Sequence, residues 1–170
     1  MEKLGHKKYA VMGWSDGAIS AVQLTAHAPS QVSHLIVFGG NAYMTEADAD
    51  AFEATRDISG WSKRMRETHL PVYGDDLQKM WSSAVDAWQA IVRDEGGDVC
   101  MREAKSITCP TLVLHGAKDP ICLSEHPEWF FANIPGAKKL HVFPEGKHNI
   151  HQKFSQEFNA LVREFVRSAP

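Results

Sequence analysis

The sequence predicts an α/β protein: a parallel sheet covered by helices on both faces and interrupted by an all-helical insertion. Two observations predict it. Short apolar runs that end at glycine alternate with amphipathic stretches toward both ends of the chain. Between Asn41 and about Ser106 the texture changes to charged, helix-forming stretches that contain no good strand.

The elements follow in order. Tyr9-Ala10-Val11-Met12-Gly13 is a short apolar run closed by glycine and reads as a buried strand. Ser15 to His27 is alanine-rich, carries Ile19, Val22 and Leu24, and stops before Pro29, as a helix does. Val32 to Phe38 runs into Gly39-Gly40 and reads as a second buried strand. In the insertion, helices are expected over 46–57, 61–68 and 75–94. The last has Leu77, Met80, Trp81, Val85, Trp88 and Ile91 at helical spacing, and Pro71 and Gly74 punctuate the series. Alternation then resumes: a strand over 111–115 behind Pro110, a helix over 125–134 and a strand over 139–143. A final amphipathic helix is expected over 152–167, with Phe154, Phe158, Leu161, Val162, Phe165 and Val166 on its apolar side. The domain reading is core over 1–41, helical cap over 42–105 and core again over 106–170.

Composition narrows the function classes. The chain has 170 residues, 44% hydrophobic and 23% charged, enough to bury a core without a disulfide or metal staple. Its 18 basic and 21 acidic residues give a net charge of −3 and form no basic stripe, which argues against nucleic acid. No apolar run approaches the ~18 residues of a membrane span. Cys100, Cys109 and Cys122 follow no CxxC spacing and read as reduced thiols of an intracellular protein. The opening Met-Glu-Lys-Leu-Gly-His-Lys-Lys has no apolar signal-peptide core. No His/Cys/Asp cluster has metal-ligand spacing and no phosphate-binding glycine loop is present, so no metal or organic cofactor is expected.

Gly13-Trp14-Ser15-Asp16-Gly17 places a GxSxG motif between a predicted strand and a predicted helix. That is the setting of a nucleophile elbow, a strained turn that lifts a serine hydroxyl above the sheet edge. A helix-capping serine between turn glycines is the competing reading. A serine needs a base, and the base needs an orienting acid. Asp119, in Gly116-Ala117-Lys118-Asp119-Pro120, follows the strand 111–115; His148, in Pro144-Glu145-Gly146-Lys147-His148-Asn149, follows the strand 139–143. All three candidates sit just past carboxyl ends of parallel strands, where open α/β sheets bind their ligands. Taken singly, Asp119 also suits a turn with Pro120 and His148 a surface loop. His115 and His141 fall in strands; His151 is the competitor of His148 for the base.

These motifs resemble the α/β-hydrolases, and within them the biphenyl-hydrolase-like, valacyclovir-hydrolase group. The resemblance also runs through Leu4 to Ala10, Gly40-Asn41-Ala42-Tyr43 and Arg56-Asp57-Ile58-Ser59-Gly60-Trp61-Ser62. It implies Ser15 as nucleophile, His148 as general base then acid, and Asp119 as the residue orienting His148. It implies the Asp16 backbone N–H as an oxyanion donor at a helix N-terminus. The Asp16 side chain then resembles the carboxylate that receives the α-ammonium of an amino-acid ester; the alternative is an acidic residue suited to any first helical turn. Trp14 stands between a pocket wall and packing beneath the elbow.

The resemblance further implies a small-molecule amino-acid ester as substrate, no nucleic acid or membrane partner, a monomer at full length, and a mitochondrial location, the cytoplasm being the alternative. Residues 42–105 match the cap that covers the pocket in this family. The family's earlier strands, with a His-Gly loop giving a second oxyanion donor, have no counterpart in the ~14 residues before Ser15. The expectation is therefore a fragment or short isoform, or a chain whose N-terminal half is supplied separately; with one donor alone, acyl transfer is expected to be weakened by roughly 10²–10³. Two rivals accompany the esterase reading: carbon–carbon hydrolysis of an anionic dienoate, or a general carboxylesterase, on the same fold; and a catalytically inactive binding module.

Overall fold

The computed structural model describes residues 1–167. Four parallel strands, β1 (Tyr9–Trp14), β2 (Val32–Phe38), β3 (Thr111–Gly116) and β4 (Ala137–Phe143), lie side by side in that order. Met12 pairs with Ile36, Ile36 with Leu112, and Leu114 with His141, so the carboxyl ends of all four align along one edge. The helices are α1 (Asp16–His27), α2 (Glu46–Glu53), α3 (Lys63–Tyr73), α4 (Leu77–Glu95), α5 (Met101–Ala104), α6 (Glu125–Asn133), α7 (Ile150–Lys153) and α8 (Ser155–Arg167).

The chain divides into two compact units. One holds Met1–Tyr43 and the chain from Val99 onward; the other is Met44–Asp98. In the first, side chains alternate across the sheet. Ile36, Phe38, Leu112 and Leu114 share a face with Phe143 and are sealed by Ile150 of α7 and by Phe158 and Phe165 of α8. Each such side chain contributes about 1.5–3 kcal/mol by leaving water. Ala18, Ile19, Ala21 and Val22 form the buried side of α1, which packs on β1 and β2.

The second unit is helical throughout its regular elements. Thr45 caps α2 in a reciprocal box with Asp48, and the Ser62 hydroxyl caps α3. Arg56 forks onto Glu53 (2.6 and 2.8 Å) and reaches Asp86 (2.8 Å). The indoles of Trp61 and Trp81 both donate to Thr55 O at 2.9 Å, so these tryptophans knit the unit together. Met44 N–H donates to Gly97 O at 2.8 Å, closing the unit on itself.

Among the described residues β1 pairs with β2 alone, and Met12 is 53% exposed. Two expectations change. Helix α3 runs through Pro71 rather than stopping there. Pro71 forgoes the N–H bond to the carbonyl four residues back, and Gly74 at φ +56° terminates the helix three residues later. The final helix is two helices, broken at Phe154, whose φ of −115° and ψ of 39° let α8 start afresh along the sheet. No helix among the described residues is long and apolar enough to cross a membrane.

Candidate active site

The turn from β1 into α1 is the strained point of the backbone. Ser15 has φ 55° and ψ −128°, and among the described residues it is the one non-glycine with positive φ. Such a conformation costs of order 1–3 kcal/mol and persists only when its surroundings enforce it. Here Ser15 N–H donates to Phe38 O (3.1 Å) and Ala18 N–H donates to Ser15 O (2.8 Å). The Ser15 side chain makes no capping hydrogen bond to α1, so the helix-cap reading does not describe it.

The two motif glycines serve different ends. A Cβ on Gly13 would lie 2.0 Å from Gly17 O and 2.7 Å from Ala18 Cα, both backbone; one on Gly17 would meet nothing within 4 Å. Gly40 matters as well, since a Cβ there would sit 2.5 Å from Ala18 Cβ. Gly13→Ala is expected to lose about 3 kcal/mol or to prevent folding. Gly17→Ala should hold or gain up to about 1 kcal/mol as a helical Gly-to-Ala change. Denaturant titration of the two variants checks this, and equal stabilities would contradict it.

Asp119 follows β3 and folds back on itself. Its Oδ1 accepts from Ile121 N–H (2.9 Å) and Cys122 N–H (3.1 Å), and its side chain is 1% exposed. Its Oδ2 lies 2.8 Å from His148 Nδ1. An ionised carboxylate only accepts, so Nδ1 carries the proton and Nε2 keeps a lone pair. The two loops are packed backbone to backbone. A Cβ on Gly116 would lie 2.5 Å from Lys147 O, and one on Gly146 would lie 2.9 Å from Gly116 Cα. Lys118 N–H donates to Gly146 O (2.8 Å), and Lys118 Nζ bonds both Glu145 oxygens at 2.6 Å.

His148 rests over the elbow. Its ring is 5.2 Å from that of Trp14, and a Cβ on Gly39 would lie 3.3 Å from its Cε1. Among the described residues, Ser15 Oγ does not hydrogen-bond His148; such contacts commonly tighten only with substrate bound. His151, the competitor, packs against Trp14 and Phe38 instead (4.7 and 5.4 Å). His115 is buried, and burial holds its pKa below that of a free imidazole. Asp16 keeps access to solvent. Partial desolvation raises its carboxyl above the usual carboxylate range, and nearby His148 pulls the other way. The structure thus brings Trp14, Ser15, Asp16, Asp119 and His148 to one edge of the sheet. Sequence reasoning gave Gly40, Gly116 and Gly146 no role; Gly40 comes just after β2, Gly116 ends β3 and Gly146 follows the turn after β4, which was the available signal.

A parallel sheet with a strained serine elbow and an Asp–His pair at its carboxyl edge is the architecture of an α/β-hydrolase. The comparisons give the family: the chain matches the model described as serine aminopeptidase S33 over residues 1–153 and belongs to that family. It is 37% identical over 168 residues to serine hydrolase BPHL of Mus musculus and 36% identical over the same length to that of Homo sapiens. Each match covers 98% of this chain and 57% of the relative, so the chain spans little more than half their length. Among solved structures, 2-hydroxy-6-oxo-6-phenylhexa-2,4-dienoate hydrolase from Rhodococcus sp. strain RHA1 superposes with a TM-score of 0.79 at 16% identity, covering 99% of this chain and 67% of that one. A meta-cleavage product hydrolase from Pseudomonas fluorescens IP01 gives 0.75 at 19% identity, covering 98% and 67%. These likenesses concern the fold.

Proposed function

We propose that this chain carries the catalytic residues of a serine hydrolase that cleaves α-amino-acid esters through an acyl-enzyme. The observation that carries the reading is the strained Ser15 turn set beside His148, whose Nδ1 is held 2.8 Å from Asp119. His148 Nε2 takes the Ser15 hydroxyl proton as Oγ bonds to the ester carbonyl carbon. The carbonyl oxygen becomes an oxyanion facing the Asp16 N–H, one of the α1 N–H groups without an intrahelical partner. The ester C–O bond breaks, and the alcohol leaves with the proton from His148. Water, deprotonated by His148, then attacks the acyl-serine; the acid departs and Ser15 recovers its proton.

Asp16 supplies the substrate preference. A carboxylate beside the nucleophile suits an α-ammonium and repels an anion, which favours amino-acid esters over the dienoates named for the structural neighbours. Because the Asp16 pKa is raised, its ionised form is disfavoured by folding. Its contribution to stability is therefore present at low pH and is lost as pH rises through the raised value. Asp16→Asn is expected to be no less stable than the parent at pH 7. It should lose about 10–100-fold of the preference for valine esters over their N-acetyl analogues. Thermal melts and the two kcat/KM values check this. Equal rates on both esters in the parent protein would remove the ammonium role, and faster cleavage of an anionic dienoate would favour carbon–carbon hydrolysis.

A further inference from the structure

Trp14 precedes Ser15 by one residue, yet its side chain is tied to the far end of the chain. Its indole N–H donates to His148 O at 3.0 Å across 134 residues of sequence. The same ring lies between His148 (5.2 Å) and His151 (4.7 Å), and Phe38 and Phe158 stand behind His151 at 5.4 and 6.2 Å. Gly39, at φ +58°, leaves the space that both rings need: a Cβ there would meet His148 Cε1 at 3.3 Å and Trp14 Cδ1 at 3.4 Å. Trp14 is nonetheless 36% exposed, so core filling does not account for it.

We propose that Trp14 is a positioning residue whose indole N–H pins the His148 backbone to the nucleophile turn and so sets the reach from His148 Nε2 to Ser15 Oγ. The inference rests on the hydrolase reading above. Asp119 and the Gly116–Gly146 packing tie His148 to the loop after β3, but not to the turn that carries Ser15. The Trp14 bond adds a second fixed point, on the element that carries the nucleophile. The surroundings suit the charge that develops. His151 is held below the usual histidine range, first by burial and then by His148, so no second cation faces an imidazolium at His148. The indole and imidazole rings are tilted by 45° to each other at 5.2 Å between centroids.

Trp14→Phe keeps a ring and removes the N–H, and two measurements on the whole 170-residue chain test it. The first is the rate at which a fluorophosphonate probe labels Ser15, corrected for the folded fraction. The second is the low-field NMR signal of the His148 Nδ1 proton. Labelling should slow about 10–100-fold, since small misplacements of a catalytic group carry that penalty. The Nδ1 signal should broaden or vanish by solvent exchange. A labelling rate and a proton signal both like the parent's would overturn the proposal, as would a loss explained by unfolding alone. Failure of the hydrolase reading shows differently, as an unlabelled parent; the proton signal then decides the positioning role by itself.

Discussion

Ser15→Ala is expected to abolish fluorophosphonate labelling and to lower ester hydrolysis by up to about 10⁶-fold, the scale on which a serine hydrolase depends on its nucleophile. Ser15→Gly should be equally inactive but more stable. Glycine occupies φ 55° and ψ −128° without the Cβ clash that Ser and Ala both suffer there. Relief of the 1–3 kcal/mol of strain, less the entropy that glycine loses on folding, leaves a gain of about 1 kcal/mol. The pair of variants separates chemistry from strain: activity falls in both, stability rises in one. Labelling that persists in Ser15→Ala would end the mechanism, and a Ser15→Gly protein no more stable than Ser15→Ala would show that the turn is not strained.

Asp119→Asn is expected to cost about 10⁴-fold in turnover while leaving the fold in place. The hydrogen bonds around Asp119 dictate the result. Its Oδ1 accepts from the N–H groups of Ile121 and Cys122, so the asparagine oxygen must take that position. The alternative flip leaves the buried Cys122 N–H and the part-buried Ile121 N–H unpaired, the buried one at a cost of about 1–3 kcal/mol. The amide NH₂ is then directed at His148 Nδ1, which has to present a lone pair instead of a proton. The proton moves to Nε2, and the base is blocked. Single-turnover assays together with melting curves check both halves; a loss of less than tenfold would mean that Asp119 does not set the tautomer.

Much of this site was legible in the chain. Strand runs, glycine stops and the positions of Ser15, Asp119 and His148 just past strand ends are local patterns, and local patterns survive folding. What was not legible depends on neighbours. Pro71 reads as a stop because proline forgoes a helical N–H bond, yet α3 continues through it to Tyr73. The break at Phe154 leaves no trace in the 3.6-residue period, because Ile150 of α7 and Phe158 and Phe165 of α8 pack into the same buried cluster. Gly116 and Gly146 look like ordinary turn residues 30 positions apart; their mutual contact exists only in three dimensions. Trp14 carries no sequence mark of its bond to His148.

The glycine-to-glycine seam between the Asp119 and His148 loops has a kinetic meaning. With Gly116 against Gly146, Lys118 bridging to Glu145, and Nδ1 held by Oδ2, acid and base travel as one rigid body. The three-residue constellation then has a single adjustable coordinate, the separation of that body from the elbow. Sampling one coordinate is entropically cheaper than assembling three independent groups. Perturbations anywhere along the seam should therefore act as rigid displacements of His148, altering how often it reaches Ser15.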